Sequence, residues 1–220
     1  MSAVVFLGPS VDRPTAAGVW DVEFRPPIAR GDVDAVLARP EPPAAIGIVD
    51  GRFLSAFSIS PKEVLRALDA GVAVYGASSM GALRAAECAP YGMIGVGAIY
   101  AEYASGRLDA DDEVALTYDP DSGRALSEPL VNWRLALAPA VTSGRVDAEL
   151  AARFLATAKA LYFPERTLPA VLARMTGADP TGLAALAHYL KTDAPDAKRD
   201  DALALLHRMA ADLGQAARAT

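Results

Sequence analysis

The chain has 220 residues, which is enough for one large core or for a core with a smaller second unit. Apolar residues make up 52% of it and charged residues 22%, a composition that is typical of a globular protein and excludes a disordered one. The formal net charge of −6 argues against a general electrostatic attraction to nucleic acid, so we expect no nucleic-acid partner.

Three further features of the sequence favour a cytoplasmic protein. Cys88 is the one cysteine, so no internal disulfide can form, and a lone thiol is typical of a reducing compartment. No run of about 18 uncharged apolar residues occurs, so no membrane span is expected. The first residues lack the basic stretch that opens a signal peptide.

Strand and helix signals alternate over the first half of the chain. Apolar runs at 3–7, 45–49 and 72–75 predict buried strands. The segment Ser60–Glu63 predicts a helix start, because a serine cap, a proline and a glutamate follow one another at the positions of a capping box. A row of helix formers predicts a further helix over 80–88. This alternation predicts an α/β fold with a parallel sheet.

The second half of the chain has a different character. Residues 113–118 predict an edge strand, and the acidic segment 193–201 is interpreted as a solvated loop. We therefore expect an α/β core over 1–125 and a mostly helical extension, packed on that core, over 126–220. The helices predicted there lie at 130–139, 148–161, 168–175, 182–190 and 200–217.

The turn between the third predicted strand and the 80–88 helix is the main candidate for chemistry. Ala77-Ser78-Ser79-Met80-Gly81 follows the G-x-S-x-G pattern with alanine at the first glycine position. A strand, a turn of small residues and a helix expose a serine hydroxyl at the helix N-terminus, so Ser79 is a candidate nucleophile. The alternative is that Ser79 only caps the helix by accepting a backbone N–H.

Several polar residues are expected at the same edge of the sheet as Ser79. Ligands of an open parallel sheet bind at the carboxyl ends of its strands, where the loops lead into helices. The residues that this rule gathers are Ser10, Asp50, Lys62 and Ser79.

A nucleophilic serine needs a base, and Lys62 is the candidate at this edge. His188 and His207 lie in late helical patterns and are interpreted as structural or surface residues. Lys62 falls in the first turn of its helix, where the helix dipole disfavours a cation, and desolvation would act in the same direction. A neutral lysine can take the proton of Ser79, as in Ser–Lys catalysis. The alternative is a solvated lysine beside a capping box.

The candidate site needs donors for an oxyanion, and the sequence patterns of nucleotide-binding loops and of a metal site are incomplete. The Met80 N–H is expected to hold an oxyanion, with a second donor that the sequence does not identify. A P-loop would need Lys and Ser/Thr at Ala82 and Leu83, and a dinucleotide-binding loop would need glycine at Ser78. The acidic residues of 109–113 have no regular ligand spacing. We expect no bound cofactor and no metal.

The motifs together resemble those of the TfuA family. The resemblance extends over roughly 4–135, and the turn at 77–82 is separately similar to the nucleophile turn of Clp-type serine peptidases, although no histidine is placed to complete such a triad. The segments that carry the TfuA resemblance are Gly76-Ala-Ser-Ser-Met-Gly-Ala-Leu-Arg-Ala-Ala-Glu87, Tyr91-Gly-Met-Ile-Gly-Val-Gly97 and Asp111-Asp-Glu-Val-Ala115, with Phe6-Leu-Gly-Pro-Ser10, Arg25-Pro-Pro27, Arg30-Gly-Asp32, Asp50-Gly51 and Pro61-Lys-Glu63 in the same order.

The TfuA resemblance implies a partner of YcaO enzymes, which use ATP to activate a peptide amide oxygen for replacement. It further implies thioamidation, in which a Ser–Lys pair hydrolyses a thiocarboxylated, ThiS-like sulfur-carrier protein and delivers sulfide. By position, Ser79 and Lys62 would be that pair. Asp50 or Glu87 would orient Lys62, and Arg84 is expected to form an i,i+3 ion pair with Glu87.

The same resemblance suggests where a substrate would lie. The tail of the carrier is expected in a groove beside the 92–97 loop, lined by Ser10, Ser78 and Gly76. One alternative is a non-catalytic adaptor that recruits a YcaO enzyme and its peptide or protein substrate. Another is a domain that binds a small anion at the Ser78–Ser79 helix N-terminus.

Overall fold

The computed structural model describes residues 2–53 and 57–219. Its strands form a single parallel sheet in the order β2-β1-β3-β4-β5. The predicted α/β class, with a parallel sheet followed by a mostly helical part, is confirmed. The strands are β1 Ala3–Phe6, β2 Glu23–Arg25, β3 Ala45–Ile48, β4 Ala73–Gly76 and β5 Ile94–Gly95.

Helices follow or connect these strands and make up most of residues 126–219. Short 3₁₀ turns lie at Ala89–Tyr91, Asp111–Glu113 and Phe163–Glu165. Within the described residues, none of the helices is long and apolar enough to cross a membrane. The α-helices are α1 Arg13–Val19, α2 Asp32–Leu37, α3 Pro61–Asp69, α4 Met80–Cys88, α5 Ala98–Ala104, α6 Leu130–Thr142, α7 Ala148–Lys159, α8 Leu168–Arg174, α9 Pro180–Thr192 and α10 Ala197–Ala219.

The chain forms two compact units. The first contains residues 1–109 and 198–220, and the second contains residues 110–197. This division differs from the expected one in two ways. The second unit begins at Ala110 and not at residue 126, and nearly all of α10 belongs to the unit that contains the sheet. The first unit therefore contains both ends of the described chain. In sequence, the second unit lies between the two parts of the first.

Both faces of the sheet are buried, as a parallel sheet requires. Side chains alternate along a strand, so Ile46 and Ile48 pack with Val64 of α3 on one face. Ala45 packs on the other face with α10, where Leu205 and Met209 are fully buried.

A glycine in β3 allows the close approach of α10. A Cβ on Gly47 would lie 2.7 Å from Met209 Sδ and 3.1 Å from Leu205 Cδ2. α10 thus packs directly on the backbone of the central strand β3. This contact fixes the position of the first turn of α10 relative to the ends of the strands.

The second unit is a small helical assembly with its own core. Trp133 and Phe154 meet edge to face with ring centroids 5.0 Å apart, and the Tyr189 hydroxyl donates to the Ala136 carbonyl at 2.8 Å. Arg166 is fully buried and donates to Asp112 at 2.8 Å. This buried guanidinium holds the start of the unit against its helices.

The prediction of an edge strand at 113–118 is wrong. Asp111–Glu113 is a 3₁₀ turn, and Tyr118 makes only an isolated antiparallel bridge to Ala125. Glu113 is buried because its carboxylate accepts hydrogen bonds from Arg134 at 2.8 Å and Lys159 at 3.3 Å. Val114 and Ala115, which follow it, are buried without belonging to a strand.

Candidate active site

Ser79 lies in a tight turn between β4 and α4. Its N–H donates to the Ala77 carbonyl at 2.8 Å, and Ser78 has a φ of +66°, in the left-handed region. Residues other than glycine rarely adopt that conformation, and where they do the strain is often found at functional sites. The turn places Ser79 at the N-cap of α4, as the sequence predicted.

Two glycines allow this turn to pack closely. A Cβ on Gly81 would lie 1.7 Å from the Ile48 carbonyl oxygen, and one on Gly76 would lie 2.2 Å from the Gly81 carbonyl oxygen. Gly76 was expected to line a substrate groove, and its observed contacts are with the backbone of α4. Gly81 thus brings the start of α4 against the carboxyl end of β3, and Gly76 brings it against the carboxyl end of β4.

The amine beside Ser79 is that of Lys198. Lys198 Nζ donates to Ser79 Oγ at 3.1 Å, and the two residues are only 2% and 3% exposed. Lys198 stands in the first turn of α10, inside the 193–201 segment that was interpreted as a solvated loop. That interpretation is wrong for residues 197–201, because α10 starts at Ala197 and buries Lys198 against the sheet unit.

The structure does not bring Lys62 to Ser79. Lys62 is exposed in the first turn of α3, and its amine has no hydrogen bond or ion pair to any residue of 2–53 or 57–219. The capping box at that helix start is present: the Glu63 carboxylate accepts from the Ser60 N–H at 3.0 Å. Of the two readings of Lys62, the geometry matches the solvated lysine beside a capping box.

Asp201 fastens α10 one turn after Lys198. Its carboxylate accepts the N–H groups of Ala98 and Ile99, each at 2.8 Å. Gly97 has a φ of +96°, and a Cβ on it would lie 2.2 Å from Asp201 Cγ, so this contact requires glycine. Burial raises the pKa of Asp201 to about 6, and the two N–H donors offset only part of that rise.

Asp50 and Ser10 form a buried hydrogen-bonded network with Ser78, the residue before Ser79. Asp50 accepts from the Gly8 N–H at 2.8 Å and from the Ser10 hydroxyl at 2.7 Å. Ser78 Oγ in turn donates to Ser10 Oγ at 2.9 Å. Asp50 was expected to orient Lys62. Its hydrogen bonds instead fix the loop after β1 and, through Ser10, the hydroxyl next to the candidate nucleophile.

Two backbone N–H groups near Ser79 are available to an oxyanion. Among the described residues, neither the Met80 N–H nor the Gly51 N–H has an acceptor within hydrogen-bond distance. The two residues are in contact, since a Cβ on Gly51 would lie 2.6 Å from Met80 Cγ. Gly51 thus supplies a candidate for the second donor, which the sequence did not identify.

Arg84 and Glu87 lie on α4, where the Glu87 side chain is exposed and the Arg84 side chain is mostly buried. They form the expected i,i+3 ion pair, with 2.5 Å between Arg84 Nη1 and Glu87 Oε2. Glu87 is exposed, and in the described parts of the chain its hydrogen bond is to Arg84 and not to Lys62. The described residues also contain no cluster of three metal-ligating side chains.

The fold and the site together define a class: a parallel α/β protein with a buried, amine-paired serine at a helix N-terminus. The chain belongs to the TfuA-like family, since the TfuA-like protein family matches residues 50–167, more than half of the sequence. This match confirms the resemblance and associates the chain with thioamidation by YcaO enzymes. It includes Gly51 and Ser79 and does not extend to Lys198. No curated protein gives a significant match.

Proposed function

We propose that the protein hydrolyses the thiocarboxylate of a sulfur-carrier protein and delivers the sulfide to a YcaO enzyme, with Ser79 as nucleophile and Lys198 as base. The observation that carries this proposal is the 3.1 Å hydrogen bond between the two buried side chains. Lys198 replaces Lys62 in the role that the sequence suggested.

The reaction requires Lys198 in its neutral form. Removing an amine from water penalises its charged form, so burial favours the base that the chemistry needs. The nitrogen–oxygen distance suits either direction of the hydrogen bond, and the neutral amine accepts the Ser79 proton as the oxygen attacks the thiocarboxylate carbon. The resulting oxyanion accepts hydrogen bonds from the Met80 and Gly51 N–H groups.

The second half of the reaction releases both products. The Lys198 ammonium donates the proton taken from Ser79 to the sulfur as the tetrahedral intermediate collapses. The carbon–sulfur bond breaks, hydrosulfide leaves, and the carrier remains esterified to Ser79. The neutral Lys198 then takes a proton from water, which attacks the ester, and returns that proton to the Ser79 oxygen as the second tetrahedral intermediate collapses. The carrier departs as a carboxylate. Sulfide is a far better leaving group than an amine, so this modest machinery suffices.

Burial of the serine has a kinetic consequence. Ser79 is only 3% exposed, so a protein substrate reaches the hydroxyl only when neighbouring groups move aside. Small electrophiles should therefore label Ser79 faster than bulky ones of equal reactivity. Mapping the labelled peptide by mass spectrometry separates Ser79 from the adjacent Ser78.

The central experiment measures sulfide release from a thiocarboxylated, ThiS-like carrier. We expect Ser79→Ala and Lys198→Met to lower the rate by at least about 100-fold, whereas Lys62→Ala keeps the native rate. Methionine has nearly the length of lysine, and circular dichroism of each variant checks that the fold is retained. Release that depends on Lys62 and not on Lys198 would reject the assigned base.

A second candidate is the non-catalytic adaptor, which the burial of Ser79 favours. The two readings differ in a reconstituted thioamidation reaction. If the protein is a hydrolase, Ser79→Ala abolishes product formation from the thiocarboxylated carrier, and added sulfide restores it. If it is an adaptor, Ser79→Ala supports the native rate without added sulfide.

A further inference from the structure

A cavity of about 390 Å³ lies at the carboxyl end of β1 in the sheet unit. Phe6, Pro26 and Pro27 form apolar walls, and the polar groups that line it include Arg25 and Arg52. The predicted site residues do not line it.

The cavity adjoins the site through paired backbone segments. The Ile28 N–H donates to the Asp50 carbonyl, and the Arg52 N–H donates to the Ile28 carbonyl, both at 2.9 Å. Gly51, between these two residues, packs against Met80, which follows Ser79. Arg52 is thus the residue directly after one of the two proposed oxyanion donors.

The cavity carries positive charge that the described protein only partly neutralises. Arg25 uses Nε to donate to Glu23 at 2.8 Å, and within 2–53 and 57–219 the Arg52 guanidinium has no carboxylate partner. Asp32 also lines the cavity, but one of its oxygens accepts the Ala29 N–H at 2.7 Å. The chain has a net charge of −6, so a cavity lined by two arginines is more positive than the protein as a whole.

We propose that this cavity binds a carboxylate on the acyl side of the substrate, an acidic residue near the C-terminal end of the carrier. Guanidinium groups bind carboxylates through paired, charge-assisted hydrogen bonds. The proline and phenylalanine walls suit the methylene stem of such a side chain. This assignment rests on the proposed function, because it takes the acyl donor to be a peptide chain that ends at Ser79.

The test uses matched peptides that end in a thiocarboxylate and carry Glu or Gln at one of the last positions before it. We expect the Glu peptide of one register to have a KM about tenfold lower than its Gln counterpart. Arg52→Gln should abolish that preference. Arg66→Gln, which removes an exposed arginine paired with Asp34 outside the cavity, should retain it. Equal KM values for Glu and Gln at every register, or equal losses in both variants, would overturn the proposal.

A binding measurement keeps this inference separate from catalysis. The same peptides as C-terminal amides, labelled with a fluorophore, are titrated with Ser79→Ala and with Ser79→Ala/Arg52→Gln. Preferential binding of the Glu peptide without any thiocarboxylate hydrolysis by the native protein supports the cavity and rejects the hydrolase. Hydrolysis without any Glu preference supports the hydrolase and rejects the cavity.

Discussion

Asp201 allows a quantitative test of how α10, and with it Lys198, is held in place. Its carboxylate is buried and has a pKa of about 6 in the folded protein, against 3.8 for an ordinary aspartate. Because the folded-state pKa is raised, the folded protein binds this proton more tightly than the unfolded chain does. The stabilisation from protonation is complete below about pH 4 and is lost as the pH rises through 6.

The size of this effect follows from the shift. A difference of about two pKa units corresponds to about 3 kcal/mol. In Asp201→Asn the group cannot titrate, so the native protein should lose about that much free energy of unfolding, relative to the variant, between pH 4 and pH 7. The comparison isolates one group because all other titrating residues are shared.

The assay is urea unfolding followed by circular dichroism at half-unit intervals of pH. Asp69→Asn, which removes an exposed carboxylate from α3 in the same unit, is the matched control and should give a curve parallel to that of the native protein. Parallel curves for the native protein and Asp201→Asn, or a native protein that gains relative stability as the pH rises, would refute the reasoning.

Three further substitutions or reactions test other contacts. Gly97→Ala forces a Cβ into the Asp201 carboxylate at a φ of +96° and should lower the free energy of unfolding by about 1–3 kcal/mol, measured by thermal unfolding. Arg166→Met removes a fully buried guanidinium that donates to Asp112 and to the carbonyls of Ala158 and Leu161, and should cost about 3–5 kcal/mol in urea; a loss below about 1 kcal/mol would contradict this account. Burial raises the pKa of the Cys88 thiol, so a thiol reagent at pH 7 should react with it only on unfolding, which absorbance detects; prompt reaction of the folded protein would be inconsistent with the packing.

The local elements were predictable because each carries its own sequence signal. The predicted helix 80–88 has the bounds of α4, and Ser60–Glu63 begins α3 as its capping pattern indicated. The predicted strands agree with β1, β3 and β4 to within a residue at each end. These signals depend on neighbours in sequence, which are also neighbours in space.

Lys198 was missed as the partner of Ser79 because their contact joins residues 119 positions apart in sequence. Charge density made 193–201 look solvated. Its helical periodicity pointed the other way, since Lys198, Asp201, Ala202 and Leu205 recur at the spacing of one helix face, and all four are buried. The lysine and the aspartate on that apolar face were the sequence signal that charged side chains lie inside the protein.

The return of α10 to the sheet unit has a consequence for protein synthesis. A ribosome completes the turn that carries Ser79 and then the whole of the second unit before it adds Lys198. A nascent or prematurely terminated chain therefore contains the hydroxyl without its amine. Under the proposed mechanism, translation order alone therefore prevents an unfinished chain from releasing sulfide.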